Sequence, residues 1–229
     1  MTLLTMITNV CAELNLDQIT SVISNNDPTT QQLLRLAQRA GDEMARDYDW
    51  SDLVVQRSFA AISSNIQTEP PADFERYKAN SSLWNNSRLW KLNGPVEPDE
   101  WQRLTIINSQ PVPQVWRTLG GKLAIYPPVA GETLSYEYLT KNWIQTTGST
   151  TATWQADTDT AILSERIIEL SVIYRWKKAK GFEYGGAERD YDDAMESEVG
   201  SDRAAKAKSL SKPNRGQVPG NYWPGQITP

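Results

Sequence analysis

The spacing of apolar residues changes twice along the chain, and those two changes limit the folds open to it. Leu3, Ile7, Val10 and Leu14 fall at i, i+4, i+7 and i+11, which is one face of a helix over about 2–14. Leu33, Ala37, Ala40, Met44 and Tyr48 repeat the pattern over about 29–49. Asp27 can cap that second helix, and Pro28 suits its first position, where a missing N–H costs nothing. At Trp50 the helical period stops. "LVVQRSFAAI" is β-branched and aromatic, "TLSYEYLT" alternates Leu134, Tyr136 and Tyr138 with Ser135 and Glu137, and "QVWRTL" and "KLAIYP" are joined by Gly120-Gly121. These are strands, the last two a tight hairpin. The Asn-, Ser- and Pro-rich stretch 65–95 reads as irregular with a short strand near "RLWKL", and "EPDEWQRL" as a short helix. Helical spacing returns in "DTDTAILSERIIELSVIYRWKKAKG", where an acidic start, a Leu163, Ile167, Leu170, Tyr174 stripe, a basic end and Gly181 predict one strong helix. A fourth helix over about 184–208 uses Tyr184, Ala187, Tyr191, Met195 and Val199, and its Ala/Lys-rich end, with little to bury, is expected to project.

The expected fold is therefore α+β. Residues 1–50 and 157–210 form a four-helix-type bundle, 51–156 an inserted antiparallel β-rich unit, and 211–229 an extended C-terminal tail. Each helix pair must bury its stripe, and the other pair is the economical partner.

Composition removes whole classes of chemistry. The 229 residues contain no histidine and one cysteine, Cys11. The commonest general base, the usual zinc ligand, a thiolate cluster and an intrachain disulfide are all unavailable. Cys11 lies beside the first stripe and is expected as a small buried hydrophobe. No apolar run is long enough for a membrane span, and "MTLLTMITNVCAEL" lacks the basic flank of a signal peptide and reads as a helix. Net charge is −5, unevenly spread. Arg203, Lys206, Lys208, Lys212 and Arg215 are the basic residues from 203 onward, with no acidic one beside them. Removing those five from the 23 basic residues leaves 18 against 28 acidic, a balance of −10 for residues 1–202. An acidic body carries a basic tail, suited to nucleic acid or an acidic protein groove.

Three patterns could carry chemistry. Asp157-x-Asp159 can hold a divalent cation, but at a helix start the same carboxylates cap free N–H groups. Glu188, Asp192 and Glu196 could supply paired carboxylates for hydrolysis, but on a helix they form one solvated row. "LGGKL" lacks the spacing of a phosphate loop and is explained by a hairpin turn. No metal or cofactor is expected. Trp84, Trp90, Trp101, Trp116, Trp143 and Trp154 interleave with apolar residues and suit core or subunit-interface packing. Trp223 differs: with Tyr222 it lies among Pro219, Gly220, Pro224 and Gly225, outside any core, as an anchor for a partner's pocket would.

Taken in order, "DPTTQQLLRLAQRAGDEMARDYDW", "PADFERY", "GPVEPDEWQRL", "WRTLGGKLAIYPPVAGETLSYEYLTKNW" and "WQADTDTAILSERIIELSVIYRWKKAKGFEY" resemble the head-to-tail adaptor (connector, or head-completion) proteins of tailed bacteriophages, most closely those of short-tailed phages. The resemblance covers roughly residues 1–200, and none of its segments is catalytic. It implies a structural virion protein of the neck, assembled in the host cytoplasm: a ring, typically of twelve copies, that docks on the portal after DNA packaging and carries the next tail component, a nozzle or tail-tube protein. Genomic DNA would pass through the lumen without specific binding, and an acidic body suits that role. Portal binding is expected of Pro219, Tyr222 and Trp223, assisted by Lys206, Lys208, Lys212 and Arg215. The tail-side loop is expected at Gly120, Gly121 and Lys122. The alternative is a nucleic-acid-binding module acting through the basic, aromatic tail.

Overall fold

In a computed structural model, residues 1–79 and 81–205 are described. The chain is α+β, with five α-helices and antiparallel sheets among those residues. Helix α1 (Leu3–Glu13) starts at Thr2, whose side chain accepts from the Thr5 amide. Helix α2 (Pro28–Asp47) starts at Asp27, whose carboxylate accepts from the Thr30 amide at 2.9 Å, with Pro28 in the first turn. Helices α4 (Glu165–Lys180) and α5 (Gly185–Ala205) follow the β region. Gly181 closes α4 in the left-handed conformation (φ 76°), which glycine adopts without penalty.

The fold departs from the sequence-based expectation in the stretch 157–181. The helix begins at Glu165, not at Asp157. Asp157 and Thr158 lie in a turn, with the Asp159 amide donating to the Ala156 carbonyl, and Thr160–Ala161 form strand β10; the Leu3 and Leu4 amides donate to the Asp159 and Asp157 carbonyls. Short Asp and β-branched Thr side chains offer the backbone hydrogen bonds outside a helix, which favours turns and strands. The expected stripe on α4 was also too narrow. Ile167 is buried, but Leu170 and Tyr174 are only half-buried, while Ile168, Val172 and Trp176 are fully covered. Helix α4 packs against α1, α2 and α5, so more than one face is apolar and no single stripe stands out. The end of α5 does not project freely as far as Arg203. Asp202 accepts from Ser51, and the Arg203 guanidinium lies over the Tyr48 ring.

Strand β1 (Val54–Ala60) pairs with β7 (Thr133–Thr140), and β7 also pairs with β2 (Phe74–Tyr77) and β3 (Trp84–Asn85), which in turn pairs with β4 (Trp90–Lys91). Strands β5 (Val115–Leu119) and β6 (Lys122–Tyr126) form the expected hairpin. Strand alternation divides its side chains between two clusters. Trp116, Leu123 and Ile125 join Phe59, Leu134 and Tyr136, whereas Val115, Ala124 and Tyr126 pack on helix α3 (Pro98–Ile106) through Trp101 and Leu104.

A small sheet, β8 (Ile144–Thr146), β9 (Ser149–Thr151) and β10, joins the β region to the helices. Leu139, Trp143, Ile144 and Trp154 belong to the same apolar cluster as α1, α2 and α4, with Cys11 buried among them. Trp143 is completely buried, meets Trp154 edge-on and donates from Nε1 to Asp42 at 2.9 Å. Its ring lies against Gly41 so closely that a Cβ there would stand 2.1 Å from a ring carbon.

Candidate functional site

Of the residues singled out for metal or acid–base chemistry, Asp157, Asp159 and Glu188 have other partners. The Asp157 carboxylate accepts from the amides of Val22 and Ile23, at 3.0 and 2.8 Å, and from the Ser21 hydroxyl at 2.7 Å. Asp159 accepts from the amides of Gln155 and Ala156, at 2.7 and 2.8 Å. Burial pushes both carboxyls up, but these hydrogen bonds outweigh it and hold both below the usual carboxylate range. They do cap free amides, in loops rather than at a helix start. Among the described residues no group of three or more Asp, Glu, Cys or His could hold a metal. On α5, Glu188 faces Lys178 at 3.6 Å, and Asp192 and Glu196 are exposed.

The buried ionic groups of the β region hold strands in register. Glu69 accepts from Arg57 at 3.0 Å and from the Tyr136 hydroxyl at 2.7 Å. Glu132 accepts from Arg88, Asn85 and Gln114. Burial, and then the bond to Glu69, push the Tyr136 hydroxyl far above its usual pKa. These carboxylates each have a cationic partner and neutral donors, as buried charges require, and they lie inside the fold rather than in a cleft. Nothing in their spacing marks them in the sequence, because the partners are 12 to 67 residues apart.

The surfaces available to partners are elsewhere. Gly120, Gly121 and Lys122 form the exposed tip of the β5–β6 hairpin, with φ 57° and 73° at the glycines and open space around both. At the other end of β5, the last residue of α3 and the segment after it expose Ile106, Ile107 and Val112 at 80, 66 and 73%. Ile106 and Ile107, two consecutive apolar residues left in water, mark a contact surface. Sequence patterning missed it, since "LTIINSQPVP" reads equally well as the last turn of a buried helix. A third surface is a groove between α4 and α5 of about 540 Å³, floored by Ile167, Leu170 and Ala194 and edged by Asp190, Asp193 and Glu198. Of the six tryptophans assigned to packing, Trp101, Trp116, Trp143 and Trp154 are buried, Trp90 is half-buried and Trp84 is 48% exposed. The expected portal-binding residues Lys206, Lys208, Lys212, Arg215, Pro219, Tyr222 and Trp223 lie outside the described residues.

Among the described residues the geometry thus offers apolar and acidic faces and an exposed hairpin tip. The family model of the SU10 adaptor protein matches residues 1–217. The chain belongs to the SU10 adaptor protein family. That match spans the helices and the β region together, in agreement with the resemblance to phage head-to-tail adaptors. No curated protein matches the chain. Membership makes it a phage structural protein and a virion component that contacts other head and tail proteins. No helix among the described residues is long and apolar enough to cross a membrane.

Proposed function

We propose that the chain is a ring-forming head-to-tail adaptor that docks on the portal after DNA packaging and carries the next tail component. The observation that carries this is the family match across residues 1–217, which takes in both the helical body and the β-rich insertion. In this reading twelve copies surround the DNA conduit in the virion neck. A body with a balance of −10 over residues 1–202 lines a conduit without holding the phosphate backbone. The basic C-terminal segment reaches the portal, with Pro219, Tyr222 and Trp223 as its apolar contacts. Lys206, Lys208, Lys212 and Arg215 add a salt-sensitive contribution. Repetition round the ring supplies avidity. The Gly120–Lys122 hairpin tip faces the downstream nozzle or tail-tube protein.

The experiment is co-sedimentation of the full chain with the portal protein of its own phage at two salt concentrations, with electron microscopy of the pellet. Trp223→Ala is expected to weaken docking roughly 30- to 1000-fold per site, from the loss of a buried anchor, with the melting temperature unchanged. A chain lacking residues 211–229 that docks as well as the intact one overturns the tether. The absence of rings on the portal overturns the adaptor assembly itself. The basic segment also favours a second reading, a nucleic-acid-binding module. Tight, salt-sensitive DNA binding by the isolated chain, lost on the same deletion, would support it.

A further inference from the structure

Two separate faces of the helical region are opposite in charge. The first is the outer side of α2, where exposed Arg35 and Arg39 flank half-buried Leu36 along a shallow, mainly apolar depression of about 410 Å³. The second is the groove between α4 and α5, with its apolar floor and its edge of Asp190, Asp193 and Glu198. Arg175 on α4 donates to Glu43 on α2, so that side of α4 faces α2. Arg166, which lines the groove, precedes Arg175 by nine residues, which is half a turn round a helix at 100° per residue. The groove therefore opens on the side of α4 away from α2. Arg35, Asp190, Asp193 and Glu198 make no hydrogen bond or ion pair among the described residues. Arg39, itself exposed, holds only half-buried Glu43, one turn along its own helix, and Glu43 also accepts from Arg175, so the Arg39 contact is weak enough to exchange.

We infer that the occupant of the α4–α5 groove is the outer face of α2 from a second copy of this chain, with Arg35 and Arg39 against Asp190, Asp193 and Glu198 and Leu36 toward the apolar floor. This rests on the ring reading above and gives it an interface. The two surfaces are different patches of one subunit, so the contact is heterologous. Every copy then offers one face of each kind, and such a contact adds copies until a ring closes. The competing occupant is the basic segment from residue 206 onward, which carries the same sign of charge as α2's outer face.

Cross-linking tests the assignment. The full chain carries Gln32→Cys on the α2 face and Ser197→Cys in the groove, and is treated with a short bismaleimide, both free and in rings seeded on the portal. Cys11 is buried and does not compete. A heterologous contact gives a ladder of dimers, trimers and higher species, because each copy carries both halves of the link. Adding Arg35→Glu with Arg39→Glu, or Asp190→Lys with Asp193→Lys, is expected to reduce the ladder at least about tenfold through like-charge contact. A one-to-one mixture of the two reversed chains restores it, since their contacts alternate with matched charge, and misfolded chains could not do this. A ladder indifferent to both reversals, or a mixture that fails to recover, overturns the inference. So does loss in the groove variant alone accompanied by the same loss on deleting 206–229, which would place the basic segment in the groove. Rings on the portal that yield no ladder reject this interface and leave the ring reading standing; no rings at all reject the ring.

Discussion

Gly41 is a residue whose replacement the fold tolerates poorly. A glycine inside a helix costs about 0.5–1 kcal/mol relative to alanine, so on propensity alone Gly41→Ala would stabilise α2. The Trp143 ring, 2.1 Å from where that methyl would sit, reverses the sign. The indole is fully buried, wedged against Trp154 and hydrogen-bonded to Asp42, so it cannot step aside. Gly41→Ala should destabilise the chain by about 1–3 kcal/mol, the usual cost of overpacking, read as a lower urea midpoint. A midpoint equal to or above that of the unchanged chain would mean that Trp143 does not hold this position. Gly41 stands out in the sequence as a lone glycine in a strong helical pattern, but the partner that requires it lies about a hundred residues away.

Among the elements, the most instructive is the segment that precedes α4. Its composition was visible, and so was the tendency of its aspartates to cap amides. What they cap was not. The sequence places Asp157 and Asp159 at the start of a helix, whereas Asp157 reaches the Val22–Ile23 amides and ties the loop after α1 to the entry of α4. Elements whose residues meet locally, such as α2 with its Asp27 cap or the hairpin at Gly120-Gly121, were legible because their signals are contiguous. Elements fixed by distant partners were not, and α4, covered on several sides, kept too little periodicity to reveal its buried face. Asp157 also gives the segment a pH signature. Its carboxyl is held below its usual value, near 3.9 in the unfolded chain. The stabilisation is thus complete above that pH and is lost as pH falls through the lower, folded value. Asp157→Asn should cost about 1–3 kcal/mol at neutral pH, as expected for hydrogen bonds to a charged group. The gap between the two chains should close below about pH 4. Urea midpoints of both chains from pH 7 to pH 2.5 measure it, and a gap independent of pH would show that the carboxylate's charge is not what the amides recognise.

For the whole molecule, the candidate site was legible only in outline. The exposed hairpin tip follows from the Gly-Gly link, but the apolar segment after α3 and the α4–α5 groove arise from how elements are placed against one another. Strand β7 has a further consequence. Its adjacent residues Tyr138 and Leu139 belong to different apolar clusters, Tyr138 to that of the β region and Leu139 to that of the helices. One continuous strand is thus shared by both, and Trp143, three residues past its end, is embedded among the helices. Neither cluster can come apart without dragging the strand out of the other. Thermal denaturation should therefore be a single concerted event, with far-ultraviolet circular dichroism and tryptophan fluorescence superimposing and calorimetric and van't Hoff enthalpies agreeing. Two resolved transitions would mean that the helical and β regions melt independently. A virion component built this way would pass a load applied at its hairpin tip to its helices as a stiff body, with no weak joint between the two in which the force could dissipate.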